Sequence, residues 1–176
     1  MASSGLIVTY AELDHRSNQL ARLLYDRGLR FGDHIAIFME NNDRYLEVVW
    51  AAQRSGLYFT PINFHFNAEE VAYIAENCDA TAFVTSTALA EVARDVAPLL
   101  PAALETRLVV GGPLDGYEPY EPTITAYPGE PLEEELEGHA MMYSSGTTGR
   151  PKGIKYPLER KPVGNPTAAQ IGRAHV

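Results

Sequence analysis

The sequence predicts an α/β fold in which a mostly parallel sheet is flanked by helices. Short apolar runs of strand length alternate with helical patterns through roughly the first two thirds of the chain. Buried strands that alternate with helices require crossover connections, which place the strands parallel to one another. At 176 residues, the chain is long enough for one domain of ordinary size.

Four helices are expected from apolar stripes and from start and stop signals. Thr9 and Glu12 form a capping box before the first helix, and Gly28 can take the left-handed conformation at its end. Asn67 and Glu70 form a second capping box before the third helix. The predicted helices cover Tyr10 to Arg27, Asp43 to Ser55, Ala68 to Asn77 and Thr87 to Ala97.

Two side chains are interpreted as core residues. In the second helix, Leu46, Val49 and Trp50 fall close together, so Trp50 is expected to pack in the core and not to serve as a ligand platform. Cys78 is the single cysteine, which excludes an intramolecular disulfide and fits a reducing compartment. We expect it to be a small buried side chain.

The strands are expected in five apolar segments, "HIAIFM", "LYFTPIN", "ATAFVTS", "TRLVVGG" and "HAMMYSS". Between the last two, residues 111–138 are rich in glycine and proline and are interpreted as a surface connection that can include one helical turn. The carboxylate-rich "EPLEEELEG" in this connection is interpreted as a solvated face. Nothing apolar lies beside it to shape a metal or acid/base site.

Composition excludes several classes of protein. A net charge of −9 argues against a nucleic acid partner, because phosphate contacts need clustered Lys and Arg. The longest stretch without charge, Ser55 to Ala68, is shorter than the roughly 20 apolar residues of a membrane span. The N-terminus has no secretory pattern, so a cytoplasmic location is expected. The five histidines show no metal-ligand spacing, and no catalytic or metal-binding residue is assigned.

The segment "YSSGTTGRPKG", residues 143–153, carries the residue types of a phosphate-binding loop. Glycines let backbone amides approach an anion, Ser and Thr add hydroxyl donors, and a lysine supplies positive charge. The spacing differs from the Walker and Rossmann loops. Composition alone leaves a flexible surface loop and a phosphate site as equal alternatives.

This segment closely resembles the signature loop of the adenylate-forming, or AMP-binding, superfamily. "TYAELDHRSNQLARLLYDRGLRFGDHIAIFMENN", "AAQRSGLYFTPIN" and "EEVAYIAENCDATAFVTS" resemble the N-terminal blocks of the same superfamily in the same order. The resemblance extends from Val8 to about Pro166. "GIKYPLERKPVG" is most similar to bacterial fatty-acid or related acyl-CoA ligases.

The resemblance implies a ligase that joins a carboxylic acid, here a fatty acid, to AMP and then to coenzyme A, with ATP and Mg²⁺. Residues 1–170 would form part of the N-terminal AMP-binding domain and end just after the phosphate loop. The residues implied to hold the β- and γ-phosphates of ATP are Ser144, Ser145, Gly146, Thr147, Thr148, Gly149 and Lys152.

The superfamily's downstream motifs for adenine, ribose, magnesium and the C-terminal lysine have no counterpart here, so the chain by itself is expected to be inactive. Residues 171–176, "IGRAHV", resemble the translation of a sequencing adapter and are interpreted as a non-native tail. Two alternatives stay open at this point. One is an adenylation domain that loads a carrier protein, and the other is a non-catalytic nucleotide-binding or interaction module.

Overall fold

The computed structural model describes residues 5–144 and 151–164, and its architecture is the predicted α/β fold. The helices longer than one turn are α1 (Tyr10–Asp26), α2 (Tyr45–Arg54), α3 (Ala68–Asn77), α4 (Ala90–Val96) and α5 (Tyr120–Thr125). The strands are β1 (His34–Phe38), β2 (Tyr58–Pro61), β3 (Ala80–Ser86), β4 (Thr106–Val110), β5 (Glu118–Pro119), β6 (His139–Ala140), β7 (Met142–Ser144) and β8 (Lys152–Ile154).

Six strands form one sheet in the order β5-β4-β3-β1-β2-β6, and every neighbouring pair is parallel. The chain moves from β1 to β2 on one side, then returns to place β3 on the other side of β1. The strand order therefore reverses between β1 and β3. β7 and β8 lie outside this sheet and pair with each other as an antiparallel hairpin.

Helices cover both faces of the sheet, and each face has its own apolar core. Successive side chains of a strand point to opposite faces, so alternate residues of β1 belong to different cores. Ile35 and Ile37 pack with α1, α2 and α5, whereas Ala36 and Phe38 pack with α3 and α4. Burial on both faces explains why β1 reads as a continuous apolar run.

The predicted helix boundaries are confirmed for the first three helices. Both capping boxes are present, with the Glu12 amide donating to Thr9 Oγ1 at 3.2 Å and the Glu70 amide donating to Asn67 Oδ1 at 3.0 Å. Gly28 has a φ of +94°, the left-handed conformation expected after α1.

The fourth predicted helix is only partly α-helical. 3₁₀ turns at Thr87–Leu89 and Ala97–Leu99 lie on either side of α4. Pro98 lies in the second turn and cannot donate a backbone hydrogen bond, so the α-helical pattern ends before it.

The predicted buried face of α2 is wrong. Trp50 is 39% exposed and Leu46 is 55% exposed, so Trp50 is not a core residue. The helix instead buries Val48, Ala51 and, unexpectedly for an acidic residue, Glu47. The reason is electrostatic, because Arg16 and Arg44 each donate to the Glu47 carboxylate at 2.8 Å and satisfy its charge within the protein.

The connection at residues 111–138 contains more structure than expected. β5 adds a sixth strand position to the sheet, and α5 places Tyr120 and Ile124 in the core with no exposure. The phenol of Tyr120 donates to Glu47 Oε2 at 3.2 Å. Burial raises the pKa of Tyr120 well above its usual value and keeps it protonated as a donor.

Cys78 is buried, as predicted, with 1% exposure. Burial raises the pKa of its thiol to about 11, which makes it a packing residue and not a reactive thiolate.

No helix within the described residues combines the length and the apolar character that crossing a membrane requires.

Candidate functional site

The candidate phosphate site lies at the β7–β8 hairpin, directly after the carboxyl end of β6. β6 pairs with β2 at the edge of the parallel sheet, and the Met141 amide donates to the Phe59 carbonyl at 2.9 Å. The chain then leaves the sheet into β7. The expected single strand "HAMMYSS" is therefore divided at Met141, because its first part pairs with β2 and its second part with β8.

Two of the predicted site residues face each other across this hairpin. Ser144 ends β7, Lys152 begins β8, and the two are register partners. Ser145, Gly146, Thr147, Thr148 and Gly149 lie outside the described residues. The two described site residues, Ser144 and Lys152, therefore lie side by side.

Gly153 lies close against two side chains under the hairpin. A Cβ at Gly153 would lie 2.3 Å from Met141 Cε and 3.1 Å from Tyr143 Cζ. The absence of a side chain lets β8 approach Met141, which is 7% exposed and belongs to the core under α3. Gly153 therefore contributes to the position of the neighbouring Lys152.

Two tyrosine hydroxyls tie the hairpin to α3. Tyr143 of β7 donates to Asn77 Oδ1 at 2.7 Å, and Tyr73 of α3 donates to the Pro151 carbonyl at 3.3 Å. Burial raises the pKa of Tyr143, with smaller contributions from Cys78 and other nearby groups. The phenol is therefore protonated at neutral pH and acts as the donor.

The segment after β8 folds back along the sheet to the start of β1 and β2. Lys155 Nζ lies 2.9 Å from His34 Nε2 and 4.4 Å from the centroid of the Tyr58 ring. Tyr58 donates to the Tyr156 carbonyl at 2.6 Å and accepts from the Leu158 amide at 3.0 Å. These contacts hold the segment that follows β8 against β1 and β2.

His34 is neutral in this arrangement. Burial lowers the pKa of His34 to about 4, and the positive charge of Lys155 adds to the effect. Its Nδ1 has no hydrogen-bond partner within residues 5–144 and 151–164. No group of three or more His, Cys, Asp or Glu side chains in the described part of the chain could hold a metal ion.

Positive charge is concentrated around the hairpin. Although the chain carries a net charge of −9, all three of its lysines and two arginines lie between residues 150 and 161. Arg160 pairs with Glu134, and Lys161 pairs with Glu159. Lys152 is exposed, and its ammonium has no hydrogen bond or ion pair to any described residue. Its charge is therefore available to an anion.

The carboxylate-rich segment behaves mainly as an exposed face, as expected, but part of it supports the hairpin. The Glu137 amide donates to the Lys161 carbonyl at 2.9 Å, and the Val163 amide donates to the Glu135 carbonyl at 3.2 Å. The segments before β6 and after β8 are thus joined at the base of the hairpin.

A second polar cluster, which the sequence did not reveal, lies where the strand order reverses. Ser86 at the end of β3 donates to the Glu40 carboxylate just after β1, and Asn42 donates to Glu40 Oε1 at 2.9 Å. Burial alone would raise the pKa of Glu40, but hydrogen bonds from Ser86, Asn42 and its own amide lower it overall. Both carboxylate oxygens of Glu40 have partners. Because Glu40 follows β1 and Ser86 ends β3, the hydrogen bond between them joins the two strands.

An open cavity of about 840 Å³ lies away from the hairpin. It is bounded by the C-terminal end of α1, residues 29–31 and residues 127–136. Neither of the two described site residues, Ser144 and Lys152, lines it. Cavity size alone therefore does not point to the hairpin, where the positive charge lies.

Comparison with known proteins assigns the class to which this fold and hairpin belong. The family model for AMP-binding enzymes matches residues 2–160, and the chain belongs to that family of adenylate-forming enzymes. The predicted resemblance and fold class are confirmed.

The chain is similar to several CoA ligases along most of its length. It is 29% identical to 3-oxocholest-4-en-26-oate–CoA ligase of Rhodococcus rhodochrous over 164 residues, covering 89% of the chain and 29% of that protein. It is 34% identical to feruloyl-CoA synthase of Amycolatopsis sp over 149 residues, covering 85% of the chain and 28% of that protein. The chain thus spans less than a third of the length of these relatives.

A solved structure gives the same result for the fold. The anthranilate CoA ligase AuaEII in complex with anthranoyl-AMP aligns with a TM-score of 0.73 and 26% identity. The alignment covers 84% of this chain and 29% of that chain.

Proposed function

We propose that residues 1–170 form part of the AMP-binding domain of an ATP-dependent acyl-CoA synthetase, in which the loop between β7 and β8 binds the β- and γ-phosphates of MgATP. The observation that carries the proposal is the hairpin itself. Ser144 and Lys152 are paired at its end, in the most basic part of an acidic chain. The loop that joins them, Ser145 to Gly149 and beyond, has the residue types of a phosphate cradle.

Each proposed ligand has a distinct chemical task. Ser144, Ser145, Thr147 and Thr148 supply hydroxyl donors, and Gly146 and Gly149 permit backbone amides to approach the phosphate oxygens. Lys152 supplies a full positive charge, and a charged hydrogen bond to a phosphate is stronger than a neutral one. Mg²⁺, when bound with ATP, would neutralise further phosphate charge.

The proposed reaction has two steps. A carboxylate oxygen attacks the α-phosphorus of ATP, the bond to the β-phosphate oxygen breaks, and pyrophosphate leaves. The thiol of coenzyme A then attacks the acyl carbon, and AMP leaves. The first step needs a fixed triphosphate and stabilised negative charge on the leaving pyrophosphate, which positioned donors supply without a covalent nucleophile.

Binding of MgATP to the 176-residue chain tests the proposal. Lys152→Ala should weaken binding by about 10-fold or more, because a hydrogen bond to a charged group contributes about 1.5–3 kcal/mol. Lys161→Ala is the matched control, since Lys161 is paired with Glu159. The Lys161→Ala chain should bind MgATP as tightly as the unmodified chain. Equal affinities of the Lys152→Ala and unmodified chains in calorimetry would contradict the proposal.

We further propose that this chain does not catalyse adenylation by itself. The motifs that the superfamily uses for ribose, magnesium and the C-terminal lysine are not in the sequence, and losing one preorganised donor can cost a factor of about 100 or more in rate. Carboxylate-dependent exchange of labelled pyrophosphate into ATP measures this directly. Exchange by the purified chain would refute the statement without affecting the binding proposal.

The acceptor of the acyl group separates the main proposal from its alternatives. The full-length gene product should form a thioester with coenzyme A when supplied with a fatty acid and MgATP. Acylation of a carrier protein with no activity toward coenzyme A would favour the alternative of a carrier-loading adenylation domain. MgATP binding without any acyl transfer would favour a non-catalytic nucleotide-binding module.

A further inference from the structure

Helix α3 makes a polar contact to β7 and another to the residue that precedes β8. Tyr73 and Asn77 are four residues apart and lie on the same face of α3. Asn77 receives the hydroxyl of Tyr143 in β7, one residue before Ser144. Tyr73 contacts the Pro151 carbonyl, one residue before Lys152. The two described phosphate-binding candidates are therefore each adjacent to a residue held by the same helix.

The contact between Tyr143 and Asn77 is the stronger of the two. Its distance of 2.7 Å is typical of a good hydroxyl hydrogen bond, whereas 3.3 Å between Tyr73 and Pro151 is long. Tyr143 is half-buried against the core under α3, so its ring is fixed by packing. The hydrogen bond then sets where the phenol, and with it the end of β7, lies along α3.

The hydrogen bond between Tyr143 and Asn77 lies where its loss should affect the stability of the domain little. Asn77 is exposed, so water can replace a lost hydrogen bond at little cost to folding. The apolar packing of the Tyr143 ring would remain in Tyr143→Phe. Loss of the hydroxyl should therefore change the placement of Ser144 and Lys152 more than the stability of the domain.

We propose that Asn77 and Tyr143 are positioning residues for the phosphate site and act through Ser144 and Lys152. The inference rests on the proposed function, because the quantity they influence is affinity for phosphate. Neither residue needs to contact the nucleotide. A ligand group that is held in place before binding loses less freedom on binding, which raises affinity.

A double-mutant cycle with two ligands tests the inference. The variants are Tyr143→Phe, Asn77→Ala and the double variant, with Tyr10→Phe as a control because Tyr10 is 84% exposed. Each variant is titrated with MgATP and with inorganic pyrophosphate, and its thermal midpoint is measured. Pyrophosphate isolates the phosphate contacts from those of the nucleoside.

We expect each single variant to weaken both ligands by the same factor of about 3 to 10, which corresponds to one hydrogen bond. The double variant should be no weaker than either single variant, because both remove the same interaction. Thermal midpoints should change by less than about 2 °C, and Tyr10→Phe should bind like the unmodified chain. A residue with only a structural role would lower the midpoint and leave these affinities unchanged.

Three results would overturn the inference. The first is unchanged affinity in both single variants, and the second is an additive loss in the double variant. The third is that the unmodified chain binds neither ligand, which refutes the proposed function and this inference together. In the first two cases the unmodified chain still binds MgATP, so the proposed function stands while the positioning role fails.

Discussion

Replacement of Glu47 by alanine should destabilise the domain strongly, because this acidic side chain lies on the buried face of α2. Its carboxylate has no exposure and accepts from Arg16 at 2.8 Å, Arg44 at 2.8 Å and Tyr120 at 3.2 Å. Glu47→Ala leaves two guanidinium groups and one phenol without this acceptor. The change thus removes one partner from a buried charge network.

The magnitude follows from burial and exposure at this network. Removing one partner of a buried ion pair costs about 3–5 kcal/mol. The Arg16 and Arg44 side chains are 19% and 23% exposed, so water recovers part of the loss, and we expect about 2–4 kcal/mol. For a domain of this size, that loss lowers the thermal midpoint by about 5–15 °C.

The assay is urea and thermal unfolding followed by circular dichroism. Leu46→Ala is the matched control, since it introduces the same residue one position earlier in the helix at a site that is 55% exposed. Its effect should stay within about 0.5 kcal/mol. Equal midpoints for Glu47→Ala and Leu46→Ala would refute the assignment of Glu47 as the centre of a stabilising network.

Three further predictions concern other buried positions. His34 has a folded-state pKa of about 4, whereas its ordinary pKa is 6.5. Its contribution to stability is therefore complete above about pH 6.5 and is lost as the pH falls towards 4. His34→Gln should reduce the difference between the unfolding free energies measured at pH 7 and at pH 4.5. Gly138→Ala should cost about 2–3 kcal/mol in urea unfolding, because its Cβ would lie 2.3 Å from the Leu57 carbonyl oxygen and 2.6 Å from that of Ala52, and a midpoint equal to that of the unmodified chain would contradict this. Cys78, with a thiol pKa of about 11, should resist alkylation at pH 8 in the native state and react in denaturant, so rapid labelling of the native chain would show that the thiol is accessible.

Deletion of residues 171–176 should leave the thermal midpoint unchanged if this segment is a non-native tail. These residues lie outside those that the structure describes, and the sequence there has no periodic apolar pattern. A shift of several degrees on deletion would show that the segment packs against the domain.

Local signals predicted most of the regular elements. The capping boxes at Thr9 and Asn67 and the left-handed Gly28 depend on neighbours within a few residues, so the sequence specifies them directly. The short apolar segments at β1 and β3 identified strands, and the structure shows that both are largely buried. The extent and burial of the short α5 were underestimated because Pro119 and Pro122 lie among turn residues, and only Tyr120 and Ile124 in the core reveal its role.

The burial of Glu47 could not be read from the pattern of α2. Apolar periodicity favoured Leu46 and Trp50 as the inner face, but the charges that neutralise Glu47 come from Arg16 in another helix and from Arg44. A buried carboxylate is stable only when its partners are present. Those partners are separated in sequence by up to 73 residues in the case of Tyr120.

For the candidate site, the sequence by itself determined which residue types are present, and the tertiary structure decided where two of them lie and what supports them. The residue types and their order in "YSSGTTGRPKG" carry the resemblance from which phosphate binding is proposed, because those properties belong to the side chains themselves. Three contacts near the site depend on how the sheet and α3 bring distant residues together. They are the pairing of Ser144 with Lys152, the hydrogen bond of Tyr143 to Asn77 and the contact of Lys155 with His34. Such distances follow from packing on both faces of the sheet, which no short stretch of sequence contains.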